Sequence, residues 1–103
     1  MNAEEATRKI SEICLLAPVI PVLVVNNIAH ARPLAEALVA GGLPVLEVTL
    51  RTPVALDVIR IVSRVPGAIV GAGTLLTSQD VADAKQAGAQ FGVSPGVTDA
   101  LLT

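Results

Sequence analysis

Apolar residues change their period along this chain, and the changes divide it into alternating helices and strands. Ile10, Ile13, Cys14 and Leu16 recur at helical spacing, with Glu4, Glu5, Arg8, Lys9 and Glu12 on the other side. Asn2 to Leu16 therefore reads as an amphipathic helix, ended by Pro18. Val19 to Val25 is almost wholly apolar and reads as a strand. Asn26-Asn27 supplies a turn and a cap. Ile28, Ala31, Leu34, Ala35, Leu38 and Val39 predict a helix to Ala40, and Pro33 implies a late or irregular first turn. Gly41-Gly42 ends it, because glycine tolerates the left-handed backbone of a helix stop.

Val45 to Leu50 is a short apolar run, the pattern of a buried parallel strand. Side chains alternate along a strand, so Val45, Glu47, Thr49 and Arg51 share one face and Leu46, Val48 and Leu50 the other. A carboxylate buried alone is costly. Two readings of Glu47 stand: a structural ion pair with Arg51, or a functional group at the carboxyl end of a strand, where α/β folds place their chemistry. Thr52-Pro53 reads as N-cap and first position of the next helix. Its apolar positions are Val54, Leu56, Val58, Ile59, Ile61 and Val62, with Asp57, Arg60 and Arg64 exposed, and Pro66-Gly67 stops it.

Ala68 to Gly73 predicts a third strand. Gly71-Ala72-Gly73 implies close passage of the backbone by a ligand or a neighbouring strand, or tight packing of small residues in a narrow barrel. It lacks the third glycine of a dinucleotide-binding fingerprint. Thr77 or Ser78 caps a helix with Val81, Ala82, Ala84 and Ala87 inward and Gly88 as its stop. Gln90 to Ser94 predicts a fourth strand, and Thr98 to Thr103 the start of a further helix.

The four strands centre near Leu23, Leu46, Val70 and Val93, at intervals of 23, 24 and 23 residues. A βα unit at fixed period, with right-handed crossovers, predicts parallel strands curling toward a barrel. A whole (β/α)8 barrel needs about 200 residues or more. The 103 residues are therefore expected to hold an N-terminal helix (1–17) and the first four βα units of a TIM barrel (18–103), with the second half absent.

Composition narrows the chemistry. The net charge of −2, without a basic stripe, argues against nucleic acid. No apolar stretch is long enough to span a membrane, and a charged N-terminus argues against a signal peptide. Cys14 is the single cysteine, so no internal disulfide forms, and a reducing, cytoplasmic setting is expected. Cys14 is read as a small buried hydrophobe and His30, the one histidine, as a solvated surface residue; a zinc site is not expected. Phe91 is the only aromatic.

Three motifs in order, Leu46-Glu47-Val48-Thr49-Leu50-Arg51-Thr52, Val70-Gly71-Ala72-Gly73-Thr74 and Ala87-Gly88-Ala89-Gln90-Phe91-Gly92-Val93-Ser94-Pro95-Gly96, make the chain resemble the bacterial 2-keto-3-deoxy-6-phosphogluconate (KDPG) aldolases of the Entner–Doudoroff pathway. The resemblance runs from Pro18 to Leu102. It implies a class I aldolase that forms a lysine Schiff base, yields pyruvate and glyceraldehyde 3-phosphate, needs no metal or other cofactor, and assembles as a trimer of (β/α)8 barrels. It makes Glu47 the general acid/base, Arg51 the ligand of the substrate carboxylate, and Thr74 and Pro95 part of the same pocket. The family's Schiff-base lysine and phosphate-binding glycine turns lie later than this sequence reaches. Lys9 and Lys85, the lysines present, read as solvated helix residues. The chain is thus expected to supply the acid/base half of a sugar-acid-phosphate aldolase and to be inactive alone. The alternative is a non-catalytic half-barrel used in assembly. Either way, free strand edges and an open inner face, with Val45 and Val70 exposed beside Glu47, imply association with a copy of itself or with a complementary half, or aggregation.

Overall fold

The structure, a computed structural model, describes residues 2–96 and 98–102. Thr103, the last residue of the expected terminal helix, lies outside the described residues. The order is α1 (Ala3–Leu15), β1 (Val22–Leu23), a 3-10 turn (Ile28–His30), α2 (Ala31–Ala40), β2 (Val45–Thr49), α3 (Ala55–Ser63), β3 (Ile69–Gly73), α4 (Ser78–Ala87) and α5 (Asp99–Leu102). Among the described residues the strands form one parallel sheet in the order β1-β2-β3. The chain is α/β, with βα units in sequence. No helix of the described residues is long and apolar enough to cross a membrane.

The register sets what faces what. Val45 to Thr49 pairs in order with Ile69 to Gly73, and Val22-Leu23 with Glu47-Val48. Leu46, Val48, Val70 and Ala72 share the face packed against the helices, where Ala35, Ala55, Val58, Ile59, Val62 and Ala84 complete a buried cluster. Val70 is therefore opposite Glu47's face and buried, not exposed beside it; the β3 residues on that face are Ile69, Gly71 and Gly73. Val45 is also fully buried, contrary to expectation. Exposure falls instead on Val19, Val22 and Val24, each more than half exposed along the first strand region.

Two expected strands are shorter than the apolar pattern suggests. β1 is two residues long because Pro18 and Pro21 have no N–H to give a ladder; the Pro21 carbonyl still accepts from the Glu47 N–H at 3.0 Å. Residues 90–94 form no full strand. A parallel bridge joins Gly92 to Ala72, flanked by Gln90 N–H to the Val70 carbonyl at 2.8 Å and Val93 N–H to the Ala72 carbonyl at 2.9 Å.

Helix ends follow local chemistry, with one correction. Asn2 caps α1, Asn27 caps the 3-10 turn, and Thr77 forms a capping box with Asp80 at the start of α4. Pro33 falls in the first turn of α2, after the 3-10 turn that absorbs the irregular entry. Gly88 ends α4 at φ 113°. Thr52 and Pro53 do not open α3. The helix starts at Ala55 after Val54, without a side-chain cap; the Thr52 side chain is turned toward the segment after β1, where its hydroxyl donates to the Val25 carbonyl at 3.0 Å. On α1 only Ile13 is buried; Cys14 is exposed, not the buried hydrophobe expected. Ala82 is likewise exposed on α4, and His30 is exposed as expected.

Candidate active site

Glu47 is the third residue of β2, between Val22 of β1 and Gly71 of β3. Its side chain reaches beyond Gly71 and lies over Gly73. A Cβ built on Gly73 would collide with Oε2 and stand 2.8 Å from Cδ. Gly73 pairs with Thr49, so the carboxylate leans diagonally toward the carboxyl ends of the strands. The space above Gly71 is filled by the ring of Phe91, which a Cβ there would strike. Neither glycine has positive φ, so space rather than backbone conformation calls for glycine at both. Gly71-Ala72-Gly73 is flanked by β2 and by the 90–93 segment, as the expected neighbouring strands, and the room its glycines leave is taken by two side chains.

Glu47 is half-buried, and desolvation holds its carboxyl above the usual carboxylate value. Among the described residues its carboxylate has no hydrogen bond and no ion pair. The ion pairs of those residues, Arg32–Glu36 at 3.4 Å and Arg60–Asp57 at 2.7 Å, lie on helix surfaces, so the structural reading of a Glu47–Arg51 bridge does not hold. Nor does the Thr49 hydroxyl serve it, since that group donates to the Leu23 carbonyl at 3.1 Å. A partly desolvated carboxyl with no charge partner holds and releases a proton closer to neutrality than a surface glutamate does.

The other expected site residues sit at the carboxyl ends of neighbouring strands. Arg51 is exposed, two residues after β2. Thr74, directly after β3, has φ 61°. For a β-branched residue this is a true outlier, costing about 1–3 kcal/mol, and such strain gathers at functional sites. Pro95 is exposed in a bend where the Ser94 hydroxyl donates to the Gly96 carbonyl. The bend is held by the Leu75 N–H on the Val93 carbonyl at 3.1 Å. Phe91 was not signalled as a site residue, although the only aromatic, one strand away from a Gly-x-Gly, was a usable cue.

Of the two lysines expected to be solvated, Lys85 is exposed and Lys9 is not fully so. Lys9, half-buried, and Lys85, exposed, flank a groove of about 690 Å³ between α1 and α4 whose walls include Ile10, Leu75, Val81 and Phe91 but none of the four expected site residues. Among the described residues no three His, Cys, Asp or Glu side chains are grouped to hold a metal ion.

Comparison with known proteins decides the family. The profile of the aldolase family "KDPG and KHG aldolase" matches residues 10–103. The chain belongs to the KDPG and KHG aldolase family. It is 60% identical over 91 residues to the 2-dehydro-3-deoxy-phosphogluconate aldolase of Zymomonas mobilis, covering 88% of this chain and 44% of that protein. It is 57% identical over 91 residues to the KHG/KDPG aldolase of Escherichia coli K12, covering 87% and 43%. The structure superposes on the Zymomonas mobilis ZM4 aldolase crystallised with 3-phosphoglycerate with a TM-score of 0.88, over 91% of this chain and 45% of that one. For the Legionella pneumophila KDPG aldolase, with pyruvate captured as a covalent carbinolamine, the TM-score is 0.79 at 50% identity, over 84% and 43%. This member of the aldolase family therefore spans less than half the length of these relatives, and the fold matched is the N-terminal part of a TIM barrel.

Proposed function

We propose that this chain carries the acid/base half of an aldolase cleaving 2-keto-3-deoxy-6-phosphogluconate to pyruvate and glyceraldehyde 3-phosphate through a lysine Schiff base. The observation that carries the reading is Glu47: a half-buried carboxyl without a charge partner, raised in pKa, lying over Gly73, the residue before the strained Thr74. With the substrate bound as an imine on a lysine from the missing half, Glu47 takes the proton of the C4 hydroxyl. The C3–C4 bond breaks, its electron pair passes into the enamine, and the aldehyde leaves. Glu47 then returns the proton to the enamine carbon, which becomes the methyl of pyruvate, and water releases the imine. Arg51 holds the substrate carboxylate through its planar donor fork, and Thr74 and Pro95 line the pyruvate end. No metal or cofactor enters this scheme. The setting is cytoplasmic, and the partner is a complementary half-barrel or further copies of the chain.

A second reading, a non-catalytic half-barrel used for assembly, is favoured by the exposed Val19, Val22 and Val24. One experiment separates the two. The chain is combined with the C-terminal half of the Zymomonas mobilis relative and treated with pyruvate and borohydride, and intact masses are read. The aldolase reading expects turnover and an adduct on the added half, with none on this chain alone. An adduct on Lys9 or Lys85 overturns the division of labour, and a folded complex without turnover selects the assembly reading.

A further inference from the structure

We infer that Gly73 is a positioning residue for Glu47: the volume left by its missing Cβ is the seat of the carboxylate. Gly73 is the last residue of β3, still paired in the ladder, and a glycine in a paired position gives up a side chain's packing. Backbone conformation does not call for glycine here, because Gly73 lies outside the left-handed region. It is buried and paired in register with Thr49, and its carbonyl accepts from the Leu50 N–H at 3.0 Å, as any strand residue could. What sets it apart is the Glu47 Oε2 and Cδ lying where a side chain would begin. Those atoms end a flexible side chain, so a methyl at this position displaces the carboxylate rather than parting the strands. A displaced carboxyl loses the burial that desolvates it over Gly73. The inference rests on the proposed role of Glu47 only for its catalytic meaning; the seat itself is geometric.

The test is an NMR titration of the chain with carbon-13 at the glutamate Cδ, in wild type and Gly73→Ala. Glu47→Gln identifies the resonance. The Glu47 midpoint is expected to fall in Gly73→Ala toward the ordinary glutamate value as the carboxyl regains water. An unmoved midpoint in a folded Gly73→Ala chain overturns the inference. Should Gly73→Ala fail to fold, Gly73→Ala with Glu47→Ala decides: recovery of folding supports the seat, and continued failure overturns it. These readouts do not depend on turnover. Loss of the acid/base reading would leave a moved midpoint intact, and an unmoved midpoint would leave that reading intact.

Discussion

The Thr52 hydroxyl donates to the carbonyl of Val25, 27 residues earlier, at 3.0 Å. Together with Thr49 on the Leu23 carbonyl at 3.1 Å, it ties the carboxyl end of β1 to that of β2 where prolines cut the ladder short. Thr49→Val keeps the shape and strands a buried acceptor. It should cost about 1–2 kcal/mol, and Thr52→Val, less buried, about 0.5–1 kcal/mol, read as shifts in urea midpoint. Equal stability in both would show that the two bonds contribute nothing net.

Glu47→Gln in a polypeptide completed with the second half should preserve the fold and lower aldol cleavage by about two to four orders of magnitude, the usual worth of a placed acid/base. Turnover close to the parent would remove Glu47 from the mechanism.

Stability should depend on pH through the same side chain. Desolvation raises the folded carboxyl above its unfolded value. Below the unfolded value both states are protonated and the contribution to stability is fully present; it is lost as pH rises through the folded value. Glu47→Gln should therefore be more stable than the parent at about pH 7 and lose that advantage by about pH 3. A constant difference across the range would contradict the assigned desolvation.

Relief of backbone strain at Thr74 should be measurable. Thr74→Gly removes a Cβ from a position at φ 61°. The gain in stability, after the greater freedom of glycine in the unfolded chain, should be up to about 1 kcal/mol. In the completed enzyme the same change should weaken binding at the pyruvate end. A less stable variant would mean that the threonine side chain holds the turn.

Much of this architecture was legible beforehand for identifiable reasons. The repeat of apolar runs found β2 and β3, because a strand buried on both faces is apolar throughout. The start of α4 was legible as a cap at Thr77 or Ser78, because capping is local chemistry; the structure selects Thr77 and adds the reciprocal bond from Asp80. The extent of the first strand was not legible from its apolar run, since the prolines govern hydrogen bonding rather than hydrophobicity. The cap assigned to Thr52 failed; its hydroxyl bonds instead to the Val25 carbonyl, a partner invisible in sequence. Placing Val70 beside Glu47 failed for want of the register. At the site, the surroundings of Glu47 were the hidden part: alternation gave its face, but only the fold shows Gly73 beneath it and Phe91 over Gly71, the residue paired with it.

Association follows from what the sheet leaves uncovered. With Val22 of the edge strand β1 and its neighbours Val19 and Val24 each over half exposed, the chain should form a reversible oligomer. Light scattering over a dilution series is expected to give a mass above that of the monomer, falling on dilution. A constant monomeric mass with a cooperative melt would show that these units cover their own core.

The Phe91 ring over Gly71 carries an evolutionary consequence. Neither position is free to drift by itself: a methyl at 71 meets the ring, and a smaller side chain at 91 leaves a hollow over the strand. Descendants of this sequence should change the two together, trading bulk from one to the other. The pair is then a covarying contact by which the pairing of segment 90–93 with β3 could be inferred from an alignment alone.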